Sequence, residues 1–153
     1  MQKGSGLITL GSAVSATAVM VNGDTLFTIT GGPIAILALQ SVCITANNGT
    51  ASTLQYQSNP TVGSAATISG ASASLASATA GSTVTMNPGT VLPLTTAPDL
   101  VTAANGGVEV LLDAEKILVQ AGTIKAVIGV GSTTGTWRHY IAYVPLAPGV
   151  TVS

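Results

Sequence analysis

The sequence predicts an all-β protein, an antiparallel β-sandwich of jelly-roll kind with roughly eight to ten strands. Three observations lead there. Short runs rich in Thr, Val and Ile recur along the chain, and Gly, Pro and Asn close them every few residues. No long window keeps apolar residues at the i, i+3, i+4 spacing of a helix. With 153 residues the chain has the length of one domain. Residues 13–148 are expected to form the sandwich, residues 1–12 an extended N-terminal arm and residues 149–153 a C-terminal tail.

Residues 13–21 run into Asn22-Gly23-Asp24, and residues 25–30 return. An Asn-Gly pair between alternating runs is a strong hairpin signal. Gly31-Gly32-Pro33 breaks the chain before residues 34–45, which are apolar on both faces and so read as a central strand. Asn47-Asn48-Gly49 then turns toward residues 52–57, an expected antiparallel partner. Residues 64–82 are built almost wholly of Ala, Ser, Thr and Gly. They fit either a loose loop around a short strand near 66–69 or a segment packed tightly through its small side chains.

Residues 83–86 and 91–95 flank Asn87-Pro88-Gly89 as strand, turn and strand, with Thr96-Ala97-Pro98 as connector. Residues 107–112 and 117–120 form the next pair around the polar stretch 113–116. Residues 123–130 present Ile124, Ala126, Ile128 and Val130 on one face. Residues 131–135 read as a hairpin loop, with residues 136–144 pairing back until Pro145 and Pro148 stop the strand.

Charge is scarce. Asp, Glu, Lys and Arg make up 6% of the sequence against about 25% in an average soluble domain, while 46% is hydrophobic and the net charge is -1. A monomer with that surface has little to oppose association. Its polar residues are chiefly Ser, Thr, Asn and Gln, which enter an interface without desolvating a charge. The composition therefore predicts self-association and attachment to a larger assembly. Nucleic acid is excluded as a partner, because Lys3, Lys116, Lys125 and Arg138 form no basic stripe. A membrane helix is excluded too, since the best apolar run, residues 33–39, ends at Gln40-Ser41. The N-terminus imitates a signal peptide only loosely, with Gly11, Ser12, Ser15 and Thr17 interrupting its apolar stretch.

The inventory of reactive groups is short, and no enzymatic activity and no cofactor are expected. His139 is the sole histidine and falls on the strand face of Trp137, Ile141 and Tyr143, where packing is the simpler role. No Gly-x-Ser-x-Gly elbow occurs. Cys43, the single cysteine, sits on an apolar strand as a small hydrophobe and cannot form an intrachain disulfide. One Cys and one His are too few for zinc. Asp113 and Glu115 could share one side of a turn, but Lys116 beside them favours a solvated loop. Asn48-Gly49-Thr50 matches a glycosylation acceptor by chance in a turn. Gly129-Val130-Gly131 begins a dinucleotide fingerprint whose third glycine, Gly135, falls a residue late and between two strands. Among the aromatics, Trp137 and Tyr143 belong with the core, whereas Arg138 and Tyr140, on the opposite face, are interface candidates. Leu7, Ile8 and Leu10 of the arm are candidates as well.

The C-terminal third, Ala121-Gly122-Thr123-Ile124, then Gly129 to Gly135, then Trp137-Arg138-His139-Tyr140-Ile141-Ala142-Tyr143-Val144-Pro145-Leu146, resembles the ending of small virion proteins of tailed bacteriophages. The resemblance spans about a quarter of the sequence. It implies a head decoration, or cement, protein: a homo-oligomer, commonly a trimer, bound to the major capsid protein on the capsid surface of the virion. It offers no catalytic residues. A receptor-binding module of a tail fibre or baseplate that contacts host glycans is the alternative expectation.

Overall fold

The computed structural model describes residues 9–86, 99–101 and 117–153, and these hold twelve strands and no helix. In sequence order they are β1 (Gly11–Val14), β2 (Ala18–Val19), β3 (Thr25–Thr30), β4 (Ile34–Cys43), β5 (Thr53–Pro60), β6 (Ala66–Thr67), β7 (Thr83–Met86), β8 (Asp99–Val101), β9 (Ile117–Val119), β10 (Gly122–Gly129), β11 (Thr136–Pro145) and β12 (Thr151–Val152). The expected strands at 91–95 and 107–112, and the residues Leu7, Ile8, Asp113 and Glu115, lie outside the described residues.

All pairings are antiparallel, in two sheets. The first runs β1-β11-β4-β7-β8, with β2 also on β11 and β9 also on β4; the second runs β12-β3-β10-β5-β6. The pairings nest: β1 with β11, β3 with β10, β4 with β7, β5 with β6. Such a ladder, rolled so that alternate rungs fall in opposite sheets, is a jelly roll, an eight-strand sandwich of two Greek keys. The extra strands are short additions. β2 prolongs the β1 edge, β9 occupies the far end of the β4 edge that β7 uses, and β8 and β12 extend the two sheets.

This topology corrects three expected hairpins. Residues before Asn22-Gly23 belong to the first sheet and β3 to the second, so that turn is a corner between sheets. It is stitched to β10: Gly23 N donates to the Ala126 carbonyl (2.8 Å), Ala126 N to the Asp24 carbonyl (2.9 Å) and Ile128 N to Asn22 Oδ1 (3.0 Å). Likewise β5 faces β4 across the core instead of pairing with it, and β10 and β11 lie in different sheets. A turn signal marks where the backbone reverses. Whether the return strand lies about 5 Å away in the same sheet or about 10 Å away across the core depends on the other partners available.

The remaining differences are local. The 13–21 strand is split at residues 15–17. There Ser15 Oγ accepts from His139 N (2.9 Å) while Ser15 N donates to the His139 carbonyl (2.9 Å), so a side chain replaces one rung. In β4 a bulge at Leu37 resets the alternation, because Ala142 pairs with Ala38 and Tyr143 with Ile36. Residues Ile36, Leu39, Ser41 and Cys43 consequently point inward. The expected C-terminal tail is partly strand: β12 pairs Thr151 with Thr30 and Val152 with Ile29, reinforced by Thr30 Oγ1 and Thr151 Oγ1 at 2.8 Å.

The core lies between the sheets and includes Phe27, Ile29, Ile36, Leu39, Leu54, Tyr56, Val84, Ile124, Trp137 and Ile141. Each large apolar side chain fully buried there contributes roughly 1.5–3 kcal/mol. Residues 64–82 combine the two readings: the short strand β6 forms at Ala66–Thr67 and residues 64–67, 71, 73, 74, 77 and 79–81 are exposed, while Ile68, Ser69, Ser72, Leu75 and Ala78 are buried. Tyr56 N donates to Ser69 Oγ (3.1 Å) and Leu54 N to Ser72 Oγ (3.0 Å), while Ser72 N reaches the Leu54 carbonyl (2.8 Å). Serine hydroxyls thus complete the hydrogen bonding that a longer β6 would supply.

Candidate interaction face

The two sheets turn different chemistry outward. On β11 burial alternates strictly. Trp137, His139, Ile141 and Tyr143 are buried, whereas Arg138, Tyr140, Ala142 and Val144 are half-buried on the outer side. Register places Val14 and Gln40 beside Tyr140, Ser12 and Ala38 beside Ala142, and Val42 beside Arg138. Among the described residues this face carries Val14, Ala38, Val42, Tyr140, Ala142 and Val144 beside Ser12, Gln40 and Arg138, and the register of the Tyr140 row continues through Thr85 to Asp99. A shallow groove of about 370 Å³ runs over it, with Val14, Ala38, Gln40, Tyr140 and Ala142 in its wall. Along its edge Leu10, Val14, Val19 and Val21 remain 41–63% exposed. The second sheet faces outward with Thr28, Thr30, Thr53, Gln55, Gln57, Asn59, Thr123 and Lys125, and Val127 is the large apolar exception.

The expected interface residues take distinct positions. Arg138 is held by its own edge, since its Nε donates to Thr17 Oγ1 at 2.7 Å. That bond orients the guanidinium across the outer face. Tyr140 lies at mid-face in the groove, and Leu10, 63% exposed, leads into β1. Composition alone did not single out Val14, Val19, Gln40 or Val42; they join the face through strand register. Of the five aromatic residues in the sequence, Phe27, Tyr56, Trp137 and Tyr143 are buried, leaving Tyr140 partly exposed.

Beneath this face a polar link crosses the core. His139 and Ser41 are register partners on β11 and β4, and Tyr56 reaches them from β5 of the other sheet. Ser41 Oγ lies 2.6 Å from His139 Nδ1 and 2.7 Å from Tyr56 Oη, whose hydroxyl also approaches the Val84 carbonyl at 3.3 Å. Burial pushes His139 down from 6.5 to about 4, with the Asp24 charge partly opposing the shift. The imidazole is therefore neutral at pH 7, and Ser41 Oγ shares hydrogen bonds with its Nδ1 and with the Tyr56 hydroxyl. Burial also pushes the Tyr56 phenol up, against the Ser41 hydrogen bond, and keeps it protonated. Ser41 and Tyr56 are fully buried, so no substrate reaches this serine–histidine contact; its work is to tie the sheets together.

A second hub lies at the end of the sandwich where the loops 44–52, 71–82 and 130–135 meet. Asn47 Oδ1 accepts from Gly135 N (2.8 Å) and Trp137 Nε1 (3.3 Å), and its Nδ2 donates to the Leu75 carbonyl (3.0 Å). A side chain at Gly135 would collide with the Thr45 carbonyl and with Asn47, so this close approach requires glycine. Burial raises the pKa of the Cys43 thiol, against an opposing backbone hydrogen bond from Asn47, leaving it a packed hydrophobe. Among the described residues no group of three or more His, Cys, Asp or Glu side chains is placed to hold a metal ion. Compared with family models, curated proteins and solved structures, the sequence and fold match none.

Proposed function

We propose that this protein is a structural component of a tailed-bacteriophage head, a decoration protein that binds and stabilises the major capsid lattice as a homo-oligomer, with a trimer as the expected form. The observation that carries the reading is the asymmetry between the two outer faces. One is polar and suited to water, whereas the other presents an apolar groove and a row of exposed Leu and Val along its edge. Exposed apolar surface rimmed by polar groups is characteristic of interaction sites. A protein with so little charge gains by losing such a face to a neighbour.

Two further points support it. Jelly rolls recur in viral capsid proteins, although the same architecture also serves lectins and cupins, so the fold alone decides nothing. The C-terminal segment that resembles phage virion proteins falls on β10, β11 and the crossing between them. For a glycan-binding tail module, stacking on sugars calls for several accessible aromatic rings, and Tyr140 is the single candidate.

The test compares particles that carry the protein with particles that lack it. Particles without it are expected to assemble yet lose packaged DNA at lower temperature, and adding purified protein back restores the resistance. Equal heat resistance with and without it would contradict the proposal. Detection of the protein on the tail instead of the head would support the receptor-binding alternative.

A further inference from the structure

Two Asn-Gly pairs lie among the described residues, Asn22-Gly23 and Asn48-Gly49, and the structure treats them differently. We propose that Asn48 is a site of spontaneous deamidation in the folded protein and that Asn22 is protected. The reaction needs the amide nitrogen of the following glycine to attack the asparagine Cγ. As the new N–C bond forms, the bond from Cγ to the carboxamide nitrogen breaks, and the attacking nitrogen's proton leaves with that amide group as ammonia. Water then opens the resulting succinimide at either carbonyl, giving aspartate or isoaspartate. Ammonia is lost, water is consumed, and no oxidant or reductant takes part.

At Asn22 the nucleophile is tied down. Gly23 N donates to the Ala126 carbonyl at 2.8 Å, which directs the amide away from the Asn22 side chain and into the second sheet. Asn22 Oδ1 is itself anchored by Ile128 N, and Gly23 has φ +90° in the turn that Asp24 closes. Attack there requires this corner to open. At Asn48 the restraints fall elsewhere. Its own backbone N donates to Thr134 Oγ1 (2.8 Å), and Thr50 N donates to Asn48 Oδ1 (2.9 Å), whereas Gly49 N makes no hydrogen bond among the described residues. A backbone N–H rests on the side-chain oxygen at both sites, and both Asn-Gly pairs are exposed with open space at the glycine. What separates them is the attacking amide: Gly23 N is bonded to Ala126, and Gly49 N makes no such bond among the described residues.

The product matters because of its position. Conversion takes the formal net charge of the protein from -1 to -2 and places the new carboxylate beside Asn47, the hub of the loop end. The isoaspartate form also lengthens the backbone between Asn47 and Gly49. This inference is independent of the proposed function.

The test is peptide mapping by mass spectrometry of the full-length protein held in mildly alkaline buffer, folded and in urea. In the folded protein, amide-to-acid conversion at Asn48 is expected to exceed that at Asn22 by about tenfold or more, and in urea the two sites converge. Gly49→Ala, which has room for its methyl group, is expected to slow conversion at Asn48 without changing the melting temperature, because the methyl hinders the attacking nitrogen. Equal rates at Asn22 and Asn48 in the folded protein, or faster reaction at Asn22, would overturn the proposal. So would a Gly49→Ala variant that folds normally and converts as fast as the native protein.

Discussion

The two sheets share one core and differ at their outer surfaces. On the second sheet the outward rows read Thr28–Thr123–Asn59 and Lys125–Gln57, a polar composition in which the Thr123 hydroxyl itself is covered by its neighbours. On the first sheet they read Val14–Tyr140–Gln40–Thr85–Asp99 and Ser12–Ala142–Ala38, and the apolar residues gather at the β1 end of the rows, with Leu10, Val19 and Val21 along the same edge. The inner sides differ in the opposite sense. The first sheet carries the buried polar pair Ser41 and His139, and the second contributes mainly apolar side chains plus the Tyr56 hydroxyl that completes the pair. The protein therefore places its outward apolar surface on the sheet whose interior is fixed by hydrogen bonds. A rigid, register-locked sheet is a suitable platform for docking, because little conformational freedom remains to be lost on binding.

The largest expected effect concerns that interior. The unfolded state's histidine protonates below about 6.5 and the folded state's below about 4. Between those values the unfolded state binds more protons. Stability is then full above 6.5 and falls as the pH drops through that window, by up to about 3 kcal/mol. Urea midpoints measured from pH 7 to pH 4 should show this slope, and His139→Gln should flatten it. Next in size, Val14→Asp, on the exposed edge, should weaken attachment to capsids by roughly thirtyfold, about 2 kcal/mol, as read by co-sedimentation with particles lacking the protein. Its melting temperature should stay close to that of the native protein. Tyr56→Phe removes the hydroxyl that joins the sheets and should lower stability by about 1 kcal/mol in urea unfolding. Gln57→Glu on the other face, beside Lys125, should change stability by less than about 0.5 kcal/mol and leave attachment intact. Equal loss of attachment from Val14→Asp and Gln57→Glu would erase the contrast between the faces.

Much of this architecture was legible in the amino-acid pattern. Alternation in residues 136–144 correctly divided Trp137, His139, Ile141 and Tyr143 from Arg138 and Tyr140, because a period of two needs no knowledge of neighbours. The partners were not legible. Asn22-Gly23 and Gly131 to Gly135 look like hairpin turns locally, yet the nested pairing of β1 with β11 and β3 with β10 depends on residues about a hundred positions apart or more. The same limit hid the candidate face. Val14 gains its meaning only from lying opposite Tyr140, and Ser41 only from meeting His139 and Tyr56. The bulge at Leu37 was equally invisible, because an extra residue in β4 is defined by what stands across from it.

The central claim is that the outer face of the first sheet is the surface given up to the capsid. Hydrogen exchange of the backbone amides, compared between the free protein and the protein bound to particles, tests it directly. New protection concentrated in Gly11–Val14, Ala18–Val19 and the edge-facing turns around them, with Thr25–Thr30 and Thr53–Pro60 unchanged, is the predicted result. Protection on the second sheet in place of the first, or no difference between free and bound protein, would contradict it.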